Sequence, residues 1–387
     1  MNCYISIDSP NTAKRHIDEL MKQMHFCDLA VPTWKGKVGT YFRKLFSTFN
    51  LLFKLHQGDV LLIQYPFKKF YVIQCRIARW KGAKTITLIH DLGTFRRRKL
   101  TAEQEIKRLS HTDVIIVHNA SMNQWLKEHG CKAPLVHLDI FDYLSPVQPT
   151  PHQPNPKPTV TFAGGISRRK CAFLYQIDEA LDNGTHSCHF DLYGSGLIPE
   201  TEIGWHNSTY HGRIPSDEFI RTTTADWGLV WDGDTIEGCS GIWGSYLRIN
   251  NPHKASFYLR AGLPVIVWEE SAMAPFILSN HLGIAVHSLR ELPEKLNSIT
   301  PEAYAQYQQA ALSMKDKLNS GYFFKRSFEE AVKCLYTYKL SNRGISLCAH
   351  CRTSSTFAAS FPTRRTFLLG AKLPRTNSIT WVIVPKN

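Results

Sequence analysis

The 387-residue chain has no run of about 18 or more apolar residues, so the sequence predicts no membrane-spanning helix. Its N-terminus, Met1-Asn2-Cys3-Tyr4-Ile5-Ser6-Ile7-Asp8, lacks both a basic leader and a long apolar stretch. It reads as a first β-strand rather than a signal peptide, which predicts a cytoplasmic protein. The single CxxC, Cys348-Ala349-His350-Cys351, has no second pair nearby to complete a tetrahedral zinc site, so a metal role is not expected. The ten cysteines are therefore expected to be mostly buried free thiols. Acidic residues are missing from residues 341–387, which hold seven basic ones (Arg343, Arg352, Arg364, Arg365, Lys372, Arg375, Lys386). That composition predicts a basic tail of low order. Half of the formal net charge of +14 lies there, and the basic remainder suits an anionic partner.

Hydrophobic residues make up 43 % of the chain, enough for cores, and its length suggests two domains. Short apolar runs alternate with amphipathic stretches. Strands are expected at 3–7, 59–64, 85–89, 113–117 and 135–138, with helices at 13–24, 39–55, 70–81, 102–109 and 119–129 between them. Such alternation indicates βαβ units and a parallel sheet. Six prolines within residues 145–158 mark a linker, since proline continues neither a helix nor a central strand. A second α/β alternation follows, with strands at 159–162, 189–193, 227–230 and 264–268. Helices are expected there at 171–181, 216–222, 252–261, 272–279 and 289–297, closed by two more at 302–319 and 323–338. The organisation read from this is a first α/β domain over 1–145, a Pro-rich linker over 146–158, a second α/β domain with closing helices over 159–340, and the tail over 341–387. Two α/β halves joined by a stiff linker describe a cleft protein, with ligands beyond the carboxyl ends of the strands.

Four segments can carry chemistry. In Phe162-Ala163-Gly164-Gly165-Ile166-Ser167-Arg168-Arg169-Lys170 a strand enters two glycines and then three cations at a helix start. Close backbone approach, free N–H groups and positive charge suit a phosphate, although a glycine turn with solvated basic residues fits equally well. In Asn250-Asn251-Pro252-His253-Lys254, Asn251 is expected to cap a helix beginning at Pro252, and Gly262 to end it. His253 and Lys254 in the first turn oppose the helix dipole, a conflict that an anion at the same place would relieve. His90-Asp91 closes a buried strand, where Asp91 suits a general base and His90 suits either a share in that work or a phosphate contact; a hydrogen-bonded loop cap is the alternative. The basic run Arg96–Lys99 behind it fits a solvated loop or contact with anionic lipid. Finally, Trp231–Gly244 combines glycine, acid and tryptophan as a ligand loop or a plain flexible loop would.

Together, Ile89-His90-Asp91, Phe162-Ala163-Gly164-Gly165, Gly228-Leu229-Val230-Trp231 and Asn251-Pro252-His253-Lys254 with Ala261-Gly262-Leu263-Pro264-Val265-Ile266-Val267 resemble a group of bacterial GT-B glycosyltransferases. That group contains β-1,6-galactofuranosyltransferases of O-antigen synthesis and the third-step glucosyltransferase of streptococcal adhesin glycosylation. The resemblance runs from residue 1 to about 338 and excludes the tail. It implies two Rossmann-like domains facing a cleft, with a UDP-sugar held mainly on the second. Carried over by motif, the donor contacts are Thr12, Gly164, Gly165, Arg168, Ile214, Pro252, His253, Lys254, Ala255, Ser256 and Phe257. Asp91 and His90 are the catalytic candidates. Ile214 stands where the group more usually has an aromatic residue, and Gly165 where it commonly has asparagine, so stacking or side-chain contact from those places is lost. A paired-glutamate motif like that of many retaining GT-B enzymes is absent after Trp268, which leaves the stereochemistry open. The implied activity is transfer of a galactofuranosyl or glucosyl group from a UDP-sugar to a saccharide acceptor on lipid or protein, with no metal required. Peripheral contact with an anionic membrane and homo-oligomers are compatible with this reading, while nucleic acid is not expected. A non-catalytic UDP-binding partner of another transferase is the alternative.

Overall fold

The computed structural model describes residues 1–6, 9–32, 36–67, 70–96, 99–196 and 206–341. Two six-stranded parallel sheets form the frame. The first contains β1 (Asn2–Tyr4), β2 (Cys27–Asp28), β3 (Val60–Tyr65), β4 (Lys84–Ile89), β5 (Val114–Val117) and β6 (Leu135–His137), in the spatial order β2-β1-β3-β4-β5-β6. Every residue of β3 is buried, as expected of a parallel strand covered on both faces. The second contains β7 (Thr159–Gly165), β8 (His189–Ser195), β9 (Ser208–Gly212), β10 (Trp227–Val230), β11 (Val265–Trp268) and β12 (Gly283–Val286). Its order is β9-β8-β7-β10-β11-β12, the doubly wound arrangement in which strand order reverses between β7 and β10. A crevice opens outside the carboxyl ends of the strands at such a reversal, because the connections leave toward opposite faces.

Local signals account for most elements. Helix Thr12–Gln23 is capped by Asn11, whose side chain accepts from Lys14 N–H, and it buries Ala13, Ile17, Leu20 and Met21 at helical spacing. Helix Ala120–Glu128 is capped by Asn119, and Gly130 beyond it takes a positive φ. The proline-rich stretch after β6 forms neither helix nor strand and is fixed by Arg260, which donates to the carbonyls of Ser145 and Val147. Among the described residues the cysteines are free, with Cys3, Cys75, Cys171, Cys188 and Cys239 buried.

Three expectations are corrected. The segment 171–181 is not one helix: it breaks into Arg168–Cys171, a 3₁₀ turn Ala172–Tyr175 and Ile177–Ala180. The cause is competition for its backbone, since Gly233 N–H donates to Lys170 O and Phe173 N–H to Gly233 O, hooking the loop after β10 onto this segment. Edge strands β2, β9 and β12 had no expected counterpart. The last helix, Tyr322–Ser341, packs on β4, β5 and β6 and so completes the first sheet's unit, not the second domain to which its position in the chain assigned it. Asp142 secures that return, accepting from Phe323 N–H at 3.1 Å and Phe324 N–H at 2.7 Å. The tail, with Cys348 and Cys351, lies outside the described residues, as do Arg97 and Arg98 of the basic run.

Candidate active site

Helix His253–Arg260 delivers the central side chains. It starts one residue later than expected, and Asn251 is not its cap. Instead the Asn251 side chain joins the two domains: its Nδ2 donates to the carbonyls of His118 and Asp139, and its Oδ1 accepts from Asn119 Nδ2 at 2.6 Å. Its backbone N–H donates to His118 Nδ1 at 3.1 Å. Gly262 ends the helix as expected, with φ +76°. Tyr258 on the same helix receives the Ala163 N–H at 2.7 Å, tying the helix to the end of β7; Gly164 and Gly165, expected as a turn, are the last residues of that strand, paired with Gly194 and Ser195. Gly228 on β10 permits this, because a Cβ there would stand 2.3 Å from the Tyr258 ring.

Two cavities meet at His253 and Lys254. The larger, about 440 Å³, is lined by Thr12, Gly164, Gly165, Ile214, Phe257 and further residues that include Tyr193 and Arg213. The smaller, about 210 Å³, is lined by His90, Asp91, Lys170, Asp232, Trp243 and Pro252 among others. Both lie at the β7/β10 reversal, and the first domain contributes to each.

Lys254 Nζ donates to Asp232 Oδ1 at 2.9 Å and to Trp231 O at 3.1 Å, and stands 3.8 Å from the centre of the Phe162 ring. Lys170 Nζ lies 3.3 Å from the same Asp232 oxygen. Burial pulls the Lys254 ammonium below its ordinary pKa, with Asp232 offsetting part of that. Burial would raise the Asp232 carboxyl, but Lys254 and Lys170 together hold it below the usual carboxylate value. The first-turn lysine thus already has an internal counter-ion, which sequence reasoning did not identify. Asp232 was visible only as one acid in a glycine- and tryptophan-containing loop.

His253 is not a cation. Burial pushes its pKa down to about 3, with His16 adding to the effect. Its Nε2 lies 3.3 Å from the Asp142 carbonyl, so that nitrogen carries the proton and Nδ1 is an acceptor. Its ring stacks on Tyr143 at 4.9 Å. His90 is buried and stacked on Phe141 at 5.2 Å, and burial followed by Lys14 holds it well below its ordinary pKa. A neutral imidazole at the end of β4 can exchange hydrogen bonds but supplies no charge. Asp91 beside it is half-buried and lines the smaller cavity.

Other expected contacts lie off the cleft. Arg168 lines neither cavity; it is exposed, with its guanidinium 4.7 Å from the Tyr175 ring centre. The cation of that segment that enters the cleft is Lys170. Ala255 and Ser256 are buried and line neither cavity, because their positions on the helix turn them into the core. Trp231 is also core, and Trp243 is the tryptophan of its loop that reaches the smaller cavity. Across the junction, Leu92 N–H donates to Tyr246 Oη at 2.9 Å. Among the described residues no three His, Cys, Asp or Glu side chains cluster as a metal site, and no helix is long and apolar enough to cross a membrane.

Comparison with known proteins agrees with this architecture. Residues 5–140 match the N-terminal domain and residues 160–331 the C-terminal domain described as glucosyltransferase 3-like. The chain is 33 % identical over 312 residues to the β-1,6-galactofuranosyltransferase WbbI of Escherichia coli (strain K12), covering 79 % of this chain and 89 % of that one. It is 25 % identical over 340 residues to glucosyltransferase 3 of Streptococcus gordonii, covering 83 % and 93 %. Among solved structures, an O-GlcNAc transferase variant of Thermobaculum terrenum superposes with a TM-score of 0.57 at 11 % identity, covering 88 % of this chain and 68 % of that one. A TarM variant of S. aureus, solved with fondaparinux, α-GlcNAc-glycerol and UDP, gives 0.51 at 11 % identity, with 75 % and 59 % covered; both likenesses concern the fold. The fold is GT-B, and the chain belongs to the glucosyltransferase 3-like family of glycosyltransferases.

Proposed function

We propose that the chain transfers a hexosyl group, galactofuranosyl or glucosyl, from a UDP-sugar to a saccharide acceptor in cell-surface polysaccharide or glycoprotein glycan synthesis. The observation that carries this reading is the meeting of two cavities at Lys254, between two Rossmann-like domains and at the strand-order reversal. The larger cavity holds the nucleotide, with Gly164 and Gly165 allowing close backbone approach. The sugar and acceptor meet in the smaller one. Lys254, with Lys170, neutralises the charge that develops on the departing UDP, so the transfer needs no metal. Neutral His253 accepts a hydroxyl through Nδ1 in place of binding phosphate as a cation. Asp91 accepts the proton of the acceptor hydroxyl, beside His90. The reaction belongs to the cytoplasm, where UDP-sugars serve as donors. The WbbI likeness favours UDP-galactofuranose as donor.

The test is a screen of several UDP-sugars against the purified full chain, read by UDP release and thermal shift. One donor is expected to raise the melting temperature and to turn over, since a ligand that binds only the folded state stabilises it. Turnover is expected to vanish in Asp91→Asn while the thermal shift remains. A thermal shift by UDP with no turnover for any donor, in wild type and Asp91→Asn alike, would leave a non-catalytic UDP-binding partner in its place.

A further inference from the structure

Helix Gly36–Lys54 carries an apolar face toward solvent as well as one toward the core, unlike an ordinary surface helix. Its solvent side carries Val38, Phe42, Phe46, Phe49 and Phe53, a stripe at helical spacing, and Phe53 is 76 % exposed. Its protein side buries Leu51 together with the polar Arg43, Ser47 and Thr48. Those polar groups are satisfied internally: Arg43 Nε donates to Val31 O at 3.0 Å and its Nη2 to Ser6 Oγ at 2.9 Å. Ser47 Oγ accepts from Val31 N–H at 3.0 Å, and Thr48 Oγ1 accepts from Gln74 Nε2 at 3.1 Å. The helix is therefore docked in its intended orientation, with its aromatic face outward. The neighbouring helix Tyr71–Trp80 extends the same surface with Ile73 and with Trp80, which is 75 % exposed.

The charge around this face is predominantly positive. Residues 29–90 contain eleven Lys and Arg and a single acid, Asp59; of these cations Arg43 is buried and Lys84 is paired with Asp113, and the exposed Asp28 lies just before the stretch. Asp59 is buried and bound to the Met1 amino group at 2.8 Å, so it does not offset the surface. Lys54 on this helix and Arg76 and Arg79 on its neighbour are exposed. Aromatic side chains flanked by cations are the composition of a helix lying in the interface of an anionic membrane, where apolar burial and attraction of each nearby cation act together. Two other occupants are opposed by charge. A second copy would bring the same basic face, and the 341–387 tail is itself basic without acids.

We propose that this face docks on the surface of a bilayer containing anionic lipid, with the aromatic stripe in the headgroup region. The docking does not depend on the transferase reading. It lies on a different element from the basic run Arg96–Lys99. Arg43 also donates to Ser6 O just beyond β1, which places this part of the helix at the carboxyl-end side of the first sheet, the side on which the cleft lies.

The experiment is co-sedimentation of the full chain with phosphatidylcholine vesicles, with and without about a third phosphatidylglycerol, at low and raised salt. Wild type is expected to bind the anionic vesicles at least about tenfold better than the neutral ones, and less at raised salt. Phe46→Ser with Phe53→Ser, which changes only exposed side chains, is expected to abolish binding while the circular dichroism spectrum and UDP-sugar hydrolysis stay unchanged. Lys54→Glu with Arg76→Glu is expected to weaken binding to the anionic vesicles alone. Absence of binding by wild type overturns the proposal. So does undiminished binding by the folded phenylalanine variant, which would assign the affinity to the tail. Sedimentation velocity showing a wild-type dimer that the phenylalanine variant dissociates, without vesicle binding, would overturn it in favour of self-association, and a nucleic-acid shift lost in that variant without vesicle binding would do the same.

Discussion

Lys254 and Asp232 form a buried ion pair, 2.9 Å apart, at the point where the two cavities join. The pair gives the lysine two competing partners, the internal carboxylate and the diphosphate assigned to the same place. Asp232→Asn should therefore act in opposite directions on the free and bound protein. Without ligand, the nearly buried Lys254 ammonium loses its counter-ion, as does the more exposed Lys170, a loss of the kind that costs up to about 3–5 kcal/mol, so the melting temperature falls. With UDP present the anion supplies what was removed, and the UDP-induced rise in melting temperature becomes larger than in wild type. A variant that is as stable as wild type, or that gains less from UDP, argues against the competition.

Lys254→Ala tests the other partner. If the ammonium assists departure of UDP as well as binding it, the loss is expected mainly in kcat, by about a hundredfold or more. An effect confined to KM would reduce Lys254 to a binding group. Steady-state kinetics on the donor that passes the screen decides between them.

Gly228→Ala probes the link between the helix and the end of β7. The added methyl would meet the Tyr258 ring at 2.3 Å, and that ring's hydroxyl receives the Ala163 N–H. Overpacking of this kind costs about 1–3 kcal/mol, and displacement of Tyr258 releases the glycine-bearing end of β7. The melting temperature should fall and the KM for the donor should rise together. No change in either would mean that β10 shifts without disturbing the end of β7.

The frame was legible wherever the physics is local. Val60-Leu61-Leu62-Ile63 reads as a strand because both faces of β3 are covered, and Gly262 stops its helix because it takes a positive φ. Short polar edge strands were not legible: Ser208–Gly212 has few apolar residues, and its pairing partner β8 supplies the order. The break at Ala172 was hidden for a related reason, since the loop after β10 captures that backbone from a distance. The glycine turn and Lys254 could be read from sequence as an anion site, but the Asp232 counter-ion could not, because its two lysines converge on it only in the fold. Asn251 was read as a helix cap because that is asparagine's usual local use; its partners across the domain junction outcompete it.

Asn251→Ala would remove that junction contact. The carbonyls of His118 and Asp139 would lose a buried donor and Asn119 an acceptor, each unsatisfied group costing about 1–3 kcal/mol. Both cavities contain residues from each domain, so a loosened junction should raise KM for donor and acceptor alike with a smaller effect on kcat. Unchanged KM values and melting temperature would remove Asn251 from this role.

Stability should fall in mild acid. Burial lowers His16 and His118 to about 4 and His253 to about 3, whereas each takes up its proton near pH 6.5 when unfolded. Between pH 6.5 and 4 the unfolded state binds protons that the folded state refuses. Stability that is complete above 6.5 is then lost as pH falls, by up to about 1.4 kcal/mol per pH unit for each histidine. Asp142 works the other way: burial raises its carboxyl to about 7, despite the Phe323 and Phe324 N–H groups, so the folded state holds a proton that the unfolded state releases above about 4. Its contribution is present at low pH and disappears as pH rises through 7, offsetting about one histidine. Melting temperatures measured from pH 7.5 to 4.5 should therefore decline, and the decline should be steeper in Asp142→Asn, which lacks the offset. A wild-type melting temperature that holds constant down to pH 5 would show that these imidazoles are protonated in the folded protein after all.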